Sequence, residues 1–142
     1  MRGRSDSAYR GVVLEAPDAR SLAEFYSRIF GWSITKHGPT WVTLGPPTGV
    51  AYIAFQTSPE YVPPVWPPQD GRQQMMMHLD VEVHDLEAAV GDAIELGARL
   101  ADYQPRTTSG SCSTRSGIPS VCTSGSSGAR VLARRCLHVE VG

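Results

Sequence analysis

Among the side chains that could bind a metal ion or move a proton, the histidines are the most informative. His78 and Asp80 lie two residues apart in a predicted strand, so both face the same side of it. They could act as acid and base, or His78 could ligate a metal. A histidine that hydrogen-bonds inside a pocket without a metal is the interpretation we favour. His37 and His84 lie in a predicted turn and just before a helix cap, where we expect them to be solvated.

The cysteines predict neither a disulfide framework nor a zinc site. Cys112, Cys122 and Cys136 are odd in number and all fall in the last third of the chain. Cys136 and His138 have metal-compatible side chains, but no second pair follows at a zinc spacing.

Composition narrows the class of protein. The chain has 142 residues, about the length of one domain, and 41% of them are hydrophobic, enough to build a core. A formal charge of −1 gives no reason to expect nucleic acid or an anionic membrane as partner. Residues 1–8 are basic but precede no long apolar stretch, so we interpret them as a disordered leader and expect a soluble cytoplasmic protein.

One supersecondary pattern occurs twice. Gly11–Gly31 recurs as His78–Gly97, offset by 67 residues: an apolar run ends in Asp, and a helix-patterned stretch closed by Gly follows. Asp18 and Asp85 are suited to N-cap these helices, and glycine suits a left-handed C-cap. The first copy predicts β-α-β-β-β order, with strands at 9–16, 32–35, 40–44 and 50–56 and a turn at 36–39. The second predicts a strand at 75–83, a helix and a strand beginning at 98–103.

The end of the chain departs from this pattern. From Arg106 to Gly128, 16 of 23 residues are Ser, Thr or Gly, so this stretch buries too little apolar surface to supply the two strands that the second unit still needs. One hypothesis is a frameshift near Pro105–Arg106, since the neighbouring reading frame decodes to a strand, an Asp-Pro-x-Gly turn and a strand. The alternative is a genuine disordered tail.

The predicted segments are a leader at 1–8, a first unit at 9–57, a proline-rich linker at 58–74, a partial second unit at 75–105 and an anomalous tail at 106–142.

Two stretches of the sequence carry specific motifs. The first is Val-Val-Leu-Glu-Ala-Pro-Asp with Leu-Ala-Glu-Phe-Tyr and Phe-Gly-Trp after it, and the second is His-Leu-Asp-Val-Glu-Val-His-Asp-Leu-Glu-Ala-Ala. Both stretches resemble the vicinal oxygen chelate superfamily, which comprises glyoxalase, bleomycin-resistance and extradiol-dioxygenase proteins. The resemblance covers residues 9–105. It implies an α+β fold in which two tandem βαβββ units form a curled, cup-shaped mixed sheet, and it implies a homodimer.

Strand alternation then separates the residues that line the cup from those that pack under the helices. The residues expected under the helices are Val12, Leu14, Val42, Leu44, Ile53, Phe55, Met77, Leu79 and Val81. The opposite face should carry Gly11, Val13 and Ala54 together with the predicted ligand pocket. The predicted pocket residues are Trp41, Thr43, Tyr52, Gln56, Met76, His78 and Asp80. Such a lining, part aromatic and part polar, suits a small organic ligand.

The resemblance also locates four metal positions. The first falls on Gly11, which has no ligand atom, the second on Ala54 or Gln56, the third on His78 and the fourth in the tail. At most two of four can coordinate, so we expect no cofactor, with a divalent metal on His78 and Gln56 as the minor alternative.

The expected function is therefore metal-free binding of a small organic molecule. The alternative is a metal-dependent lyase, isomerase or dioxygenase of the glyoxalase type, and the sequence does not decide whether the protein is an enzyme. A third interpretation, a domain that serves a protein partner, has Trp66 in the linker as its only indication.

Overall fold

The structure, a computed structural model, describes residues 10–65, 67–77, 79–100, 109–113 and 135–140, the last two segments and Asp80 by their backbone alone. The chain divides into two compact units, Met1–Tyr61 and Val62–Gly142. The leader at 1–8, Trp66, His78 and most of the anomalous tail lie outside the described residues.

The first helix, α1 (Ala19–Phe30), begins and ends where the sequence predicts. An Asp18 Oδ1 atom accepts hydrogen bonds from the backbone N–H groups of Arg20 at 2.9 Å and Ser21 at 3.3 Å. Gly31 closes the helix with φ of 65°, a left-handed conformation that glycine adopts without steric cost. Both cap predictions are confirmed.

The first sheet has four strands in the order β1-β4-β3-β2. They are β1 (Arg10–Ala16), β2 (Ser33–His37), β3 (Trp41–Gly45) and β4 (Ala51–Thr57). β1 pairs with β4 in parallel, and the other two pairings are antiparallel. The prediction of a turn at 36–39 is wrong at its start, because Lys36 and His37 pair with β3 as part of β2.

The core lies between this sheet and α1. Leu14, Val42, Leu44, Ile53 and Phe55 are buried as predicted, and the ring of Tyr26 stacks on that of Phe55 with centroids 5.7 Å apart. Val12 was also expected under the helix, yet it is 39% exposed. Val12 lies near the start of the edge strand β1, whereas Leu14 and Ala16 further along the same face are buried.

The second unit has one helix and a second four-stranded sheet, in the order β5-β8-β7-β6. Its elements are β5 (Asp80–Val83), α2 (Leu86–Glu95), β6 (Arg99–Leu100), β7 (Ser109–Ser113) and β8 (Arg135–Glu140). Asp85 caps α2 through the N–H groups of Glu87 and Ala88, and Gly97 follows with φ of 100°, as expected of a helix end.

Two strand predictions in this unit are wrong. Residues 75–77 are not a strand, and Met76 and Met77 are 90% and 38% exposed. These residues have apolar side chains, but the described residues offer them no neighbouring strand, and a strand needs one to satisfy its backbone. Conversely, β7 and β8 form within the tail from which we expected no strand, because main-chain hydrogen bonds define a ladder whatever the side chains are.

One strand distinguishes the second sheet from the first. Both sheets have the same strand order, but β8 runs antiparallel to β5 and parallel to β7, whereas β4 runs parallel to β1 and antiparallel to β3. The direction of β8 is therefore the reverse of that of β4. Neither α1 nor α2, the helices of the described segments, is long and apolar enough to cross a membrane.

Candidate functional site

A pocket of about 570 Å³ opens on the face of the first sheet that α1 does not cover. Its volume falls within the range of small-molecule sites. We call it the first-unit pocket. It is lined by Thr35, Lys36, Trp41, Thr43, Gly45, Pro46, Gly49, Ala51 and Tyr52.

Strand alternation places three of the predicted residues here. On β3, Trp41 and Thr43 alternate with Val42 and Leu44, whose side chains are buried against α1. On β4, Tyr52 precedes the buried Ile53 and faces the same side as Trp41. The two aromatic side chains are half-buried, so part of each is accessible to solvent.

Two hydrogen bonds fix the floor of the pocket. The indole Nε1 of Trp41 donates to the hydroxyl of Thr43 at 3.1 Å. The hydroxyl of Thr35 donates to the carbonyl oxygen of Thr43 at 3.2 Å. The first of these bonds satisfies the only polar atom of the indole and sets the orientation of its ring.

A β-bulge brings in Lys36, which sequence reasoning missed. Ile34 pairs with Leu44 and Lys36 pairs with Thr43, so Thr35 is an extra residue on β2. Side chains of directly opposed residues share a face, and Lys36 therefore lies on the pocket side with Thr43. No local sequence signal marks this bulge, and simple alternation from Ile34 would have assigned Lys36 to the helix side.

Gly11 is covered by Tyr52, its partner in the β1–β4 ladder. A Cβ atom built on Gly11 would lie 2.5 Å from the ring carbon Cε2 of Tyr52 and 2.6 Å from its carbonyl oxygen. Both separations are far shorter than van der Waals contact. The aromatic ring therefore occupies the place that a side chain at residue 11 would need.

The other predicted site residues are not part of this pocket. Gln56 is exposed on β4 opposite Trp41 and is not among the lining residues. Met76 belongs to the second unit and is 90% exposed. His78 and the side chain of Asp80 lie outside the described residues. The structure thus brings together Trp41, Thr43 and Tyr52 from the predicted set.

The donor set of the first unit does not fit a divalent cation. Of the positions that the resemblance assigns there, Gly11 and Ala54 have no donor side chain, which leaves the single amide of Gln56. Within the described segments, no group of three or more His, Cys, Asp or Glu side chains is placed to hold a metal ion. Protein metal sites need several ligands in fixed geometry, and of these the assigned positions of the first unit supply at most the amide of Gln56.

Shifted pKa values occur at Asp18 and Tyr61, neither of which lines the pocket. The hydrogen bond from the Ser21 hydroxyl, with those from the two backbone N–H groups, lowers the pKa of Asp18 below its ordinary 3.8. Burial, and then the negative charge of Glu15, raises the pKa of Tyr61 to about 12. Asp18 caps a helix and Tyr61 is a packed phenol, and neither is placed to act on a molecule in the pocket.

Comparison with known proteins agrees with the topology. The sequence model of a family described as a glyoxalase-like domain matches residues 11–122. A glyoxalase/bleomycin resistance protein/dioxygenase family enzyme from Burkholderia phytofirmans PsJN is 16% identical, with a TM-score of 0.50 over 95% of this chain and 97% of that one. The trypanothione-dependent glyoxalase I of Leishmania major is 12% identical, with a TM-score of 0.50 over 94% of this chain and 87% of that one. No curated protein matches the sequence. At these identities the two structures show the fold alone.

Proposed function

The chain belongs to the family of glyoxalase-like domains, and on that premise we propose that it binds a small organic molecule in the first-unit pocket without a catalytic metal. The observation that carries the proposal is the position of Tyr52, whose ring lies over Gly11 and beside the open face of the sheet. An aromatic surface stands where the resemblance expects a metal ligand.

The chemistry of the lining supports a flat, partly apolar ligand. Trp41 and Tyr52 offer ring faces, on which an aromatic or conjugated molecule gains dispersion energy and releases water. Thr35 and Thr43 offer hydroxyl groups, and Gly45 and Gly49 leave backbone accessible. The ligand would lie on strands that pack against α1 with their other face, so little of the binding free energy is spent on ordering the protein.

The elements also support tandem copies of one βαβββ module, because each unit has a strand, a capped helix and three further strands in the same sheet order. The reversed β8 is the point at which the second copy departs from the first. The curled cup, the homodimer and the cytoplasmic location stay predictions.

A thermal-shift screen of aromatic and conjugated compounds tests the binding function. A ligand at 100 times its dissociation constant should stabilise the native state by about 2.7 kcal/mol. Trp41→Ala should abolish that stabilisation while leaving the far-ultraviolet circular dichroism unchanged, because Trp41 is half-buried on the open face. Elemental analysis of the purified protein completes the test, since stoichiometric nickel, zinc, iron or manganese would contradict a metal-free binder and favour the metal-dependent enzyme.

A further inference from the structure

We propose that the first-unit pocket selects anionic aromatic molecules, with the ammonium group of Lys36 binding the anion while Trp41 and Tyr52 contact the ring. The inference rests on the proposed binding function and adds the chemical class of the ligand. Aromatic carboxylates are the simplest members of that class.

The first step of the argument is the charge of the lining. Among the lining residues that the structure describes, Lys36 is the only one with a charged side chain, and the others are threonine, glycine, proline, alanine and the two aromatic residues. None of these described residues can neutralise the ammonium. A neutral or cationic ligand would leave that charge unpaired or repelled next to it, whereas an anion would pair with it.

The second step is the lack of an internal partner. An ion pair among the described residues joins Arg20 to Glu24 on α1, on the other side of the sheet. Within the described part of the chain no carboxylate lies within 4.0 Å of the Lys36 ammonium. Binding an anion therefore does not require breaking an existing ion pair there.

The third step is the way in which the backbone aims this side chain. The extra residue at Thr35 sets Lys36 opposite Thr43, in the row that faces the pocket. Without the irregularity Lys36 would oppose Val42, in the row on the α1 side of the sheet rather than the row that faces the pocket. Bulges often occur beside functional sites, where they redirect a side chain in this way.

The fourth step concerns the spacing of the two rings. Trp41 pairs with Gln56, and Tyr52 lies four residues before Gln56 on the same strand, so the rings are anchored about 13 Å apart along the sheet. Lys36 opposes Thr43, which lies between them. That arrangement suits a ligand larger than a single benzene ring, with its anion on the β2 side of the pocket.

Three naphthalene probes of similar shape separate the effect of charge from that of ring contact: 2-naphthoate, 2-naphthamide and 2-naphthylmethylammonium. Isothermal titration calorimetry of the full chain should give an affinity for the anion about fivefold higher than for the neutral amide, and lowest for the cation, as expected of one partly exposed ion pair. High salt should reduce the difference.

Lys36→Gln should remove the preference for the anion, so that 2-naphthoate and 2-naphthamide bind this variant with similar affinity. Arg20→Gln is the matched control, because it removes the same charge from α1 and should keep the preference. Equal binding of all three probes, or a preference that persists in Lys36→Gln, would overturn the anion selectivity and leave the binding function standing. Failure of every probe to bind would contradict both proposals.

The sequence offers a second readout, since Lys36 is its sole lysine. Saturating 2-naphthoate should slow acetylation of Lys36 by an N-hydroxysuccinimide ester severalfold, with the terminal amine as the internal reference. Acetylation of Lys36 at an unchanged rate would show that the acid binds elsewhere and would overturn the assignment.

Discussion

The ring of Tyr52 lies over the Cα atom of Gly11, its partner across the β1–β4 ladder. This contact ties a glycine in an edge strand to an aromatic residue of the pocket. It also explains in packing terms why residue 11 has no side chain: any Cβ atom there would meet both the ring and the carbonyl oxygen of Tyr52.

Gly11→Ala should therefore destabilise the first unit by about 1–3 kcal/mol, the usual cost of overpacking. Urea denaturation, monitored by circular dichroism, measures the change in the free energy of unfolding. The control is Gly91→Ala in α2, where a Cβ atom would meet nothing within 4 Å. That substitution should instead stabilise its helix by about 0.5–1 kcal/mol. An equal effect of the two substitutions would contradict the contact.

Asp18→Ala should cost about 1 kcal/mol, since it removes the acceptor for the first turn of α1. Asp85→Ala gives a parallel measurement on α2, whose cap has the same geometry. Urea midpoints of both variants at neutral pH check the expectation, and an unchanged midpoint in Asp18→Ala would show that the cap contributes nothing.

The same carboxylate gives a prediction for acid pH. Because the folded protein lowers the pKa of Asp18 below 3.8, the unfolded chain takes up the proton first as pH falls. The stabilisation is thus complete above the ordinary pKa and is lost as pH falls through the folded value. Asp18→Asn keeps an acceptor oxygen but cannot titrate. Its urea midpoint should fall less steeply with acidification than that of the native protein, and parallel curves would rule the prediction out.

Tyr61 gives the corresponding prediction for alkaline pH. Its pKa of about 12 exceeds the ordinary 10.0, so the folded state holds the phenolic proton more tightly than the unfolded state. Its contribution to stability is intact below pH 10.0 and is lost as pH rises toward about 12. Tyr61→Phe should flatten this decline. Glu15→Gln should lower the pKa of Tyr61. The difference in tyrosinate absorbance between proteins with and without Tyr61→Phe measures this pKa. An unchanged pKa in Glu15→Gln would exclude the influence of Glu15.

The frameshift hypothesis concerns the segment that contains the reversed strand β8, and it can be tested. A gene variant shifted by one base at the codons for Pro105 and Arg106, into the frame that decodes to a strand, turn and strand, should yield a more soluble protein with a higher thermal midpoint. The gene shifted into the remaining frame is the control. Equal behaviour of the restored and original chains would favour a genuine Ser-rich tail. An intact mass of the natural protein equal to that of this sequence would exclude an error in the reading of the gene.

Much of the first unit follows from sequence because local chemistry decides it. Asp18 and Gly31 bound a helix whose apolar residues recur at helical spacing, and alternation on β3 and β4 separates Trp41 and Thr43 from Val42 and Leu44. These features depend on neighbours within a few residues, so a single sequence contains them.

Features that depend on distant backbone were not predictable. The pairing of β2 with β3 decides that Lys36 faces the pocket. No residue type between Ile34 and Lys36 indicates that the ladder is interrupted there. Val12 is apolar and β-branched but lies near the exposed start of an edge strand whose later residues are buried. Likewise, the apolar run at 75–77 satisfies the pattern of a strand without a described partner to pair with.

The interrupted ladder at Thr35 has a consequence for comparing relatives of this protein. In a relative whose hairpin is regular, the side chain opposite the counterpart of Thr43 would occupy the alignment column of Thr35 if no gap were introduced. Column-by-column comparison would then match residues of opposite orientation from this point to the hairpin turn. A one-residue gap at Thr35 restores the correspondence. Only with that gap can the charge of the residue that faces the pocket be compared among relatives.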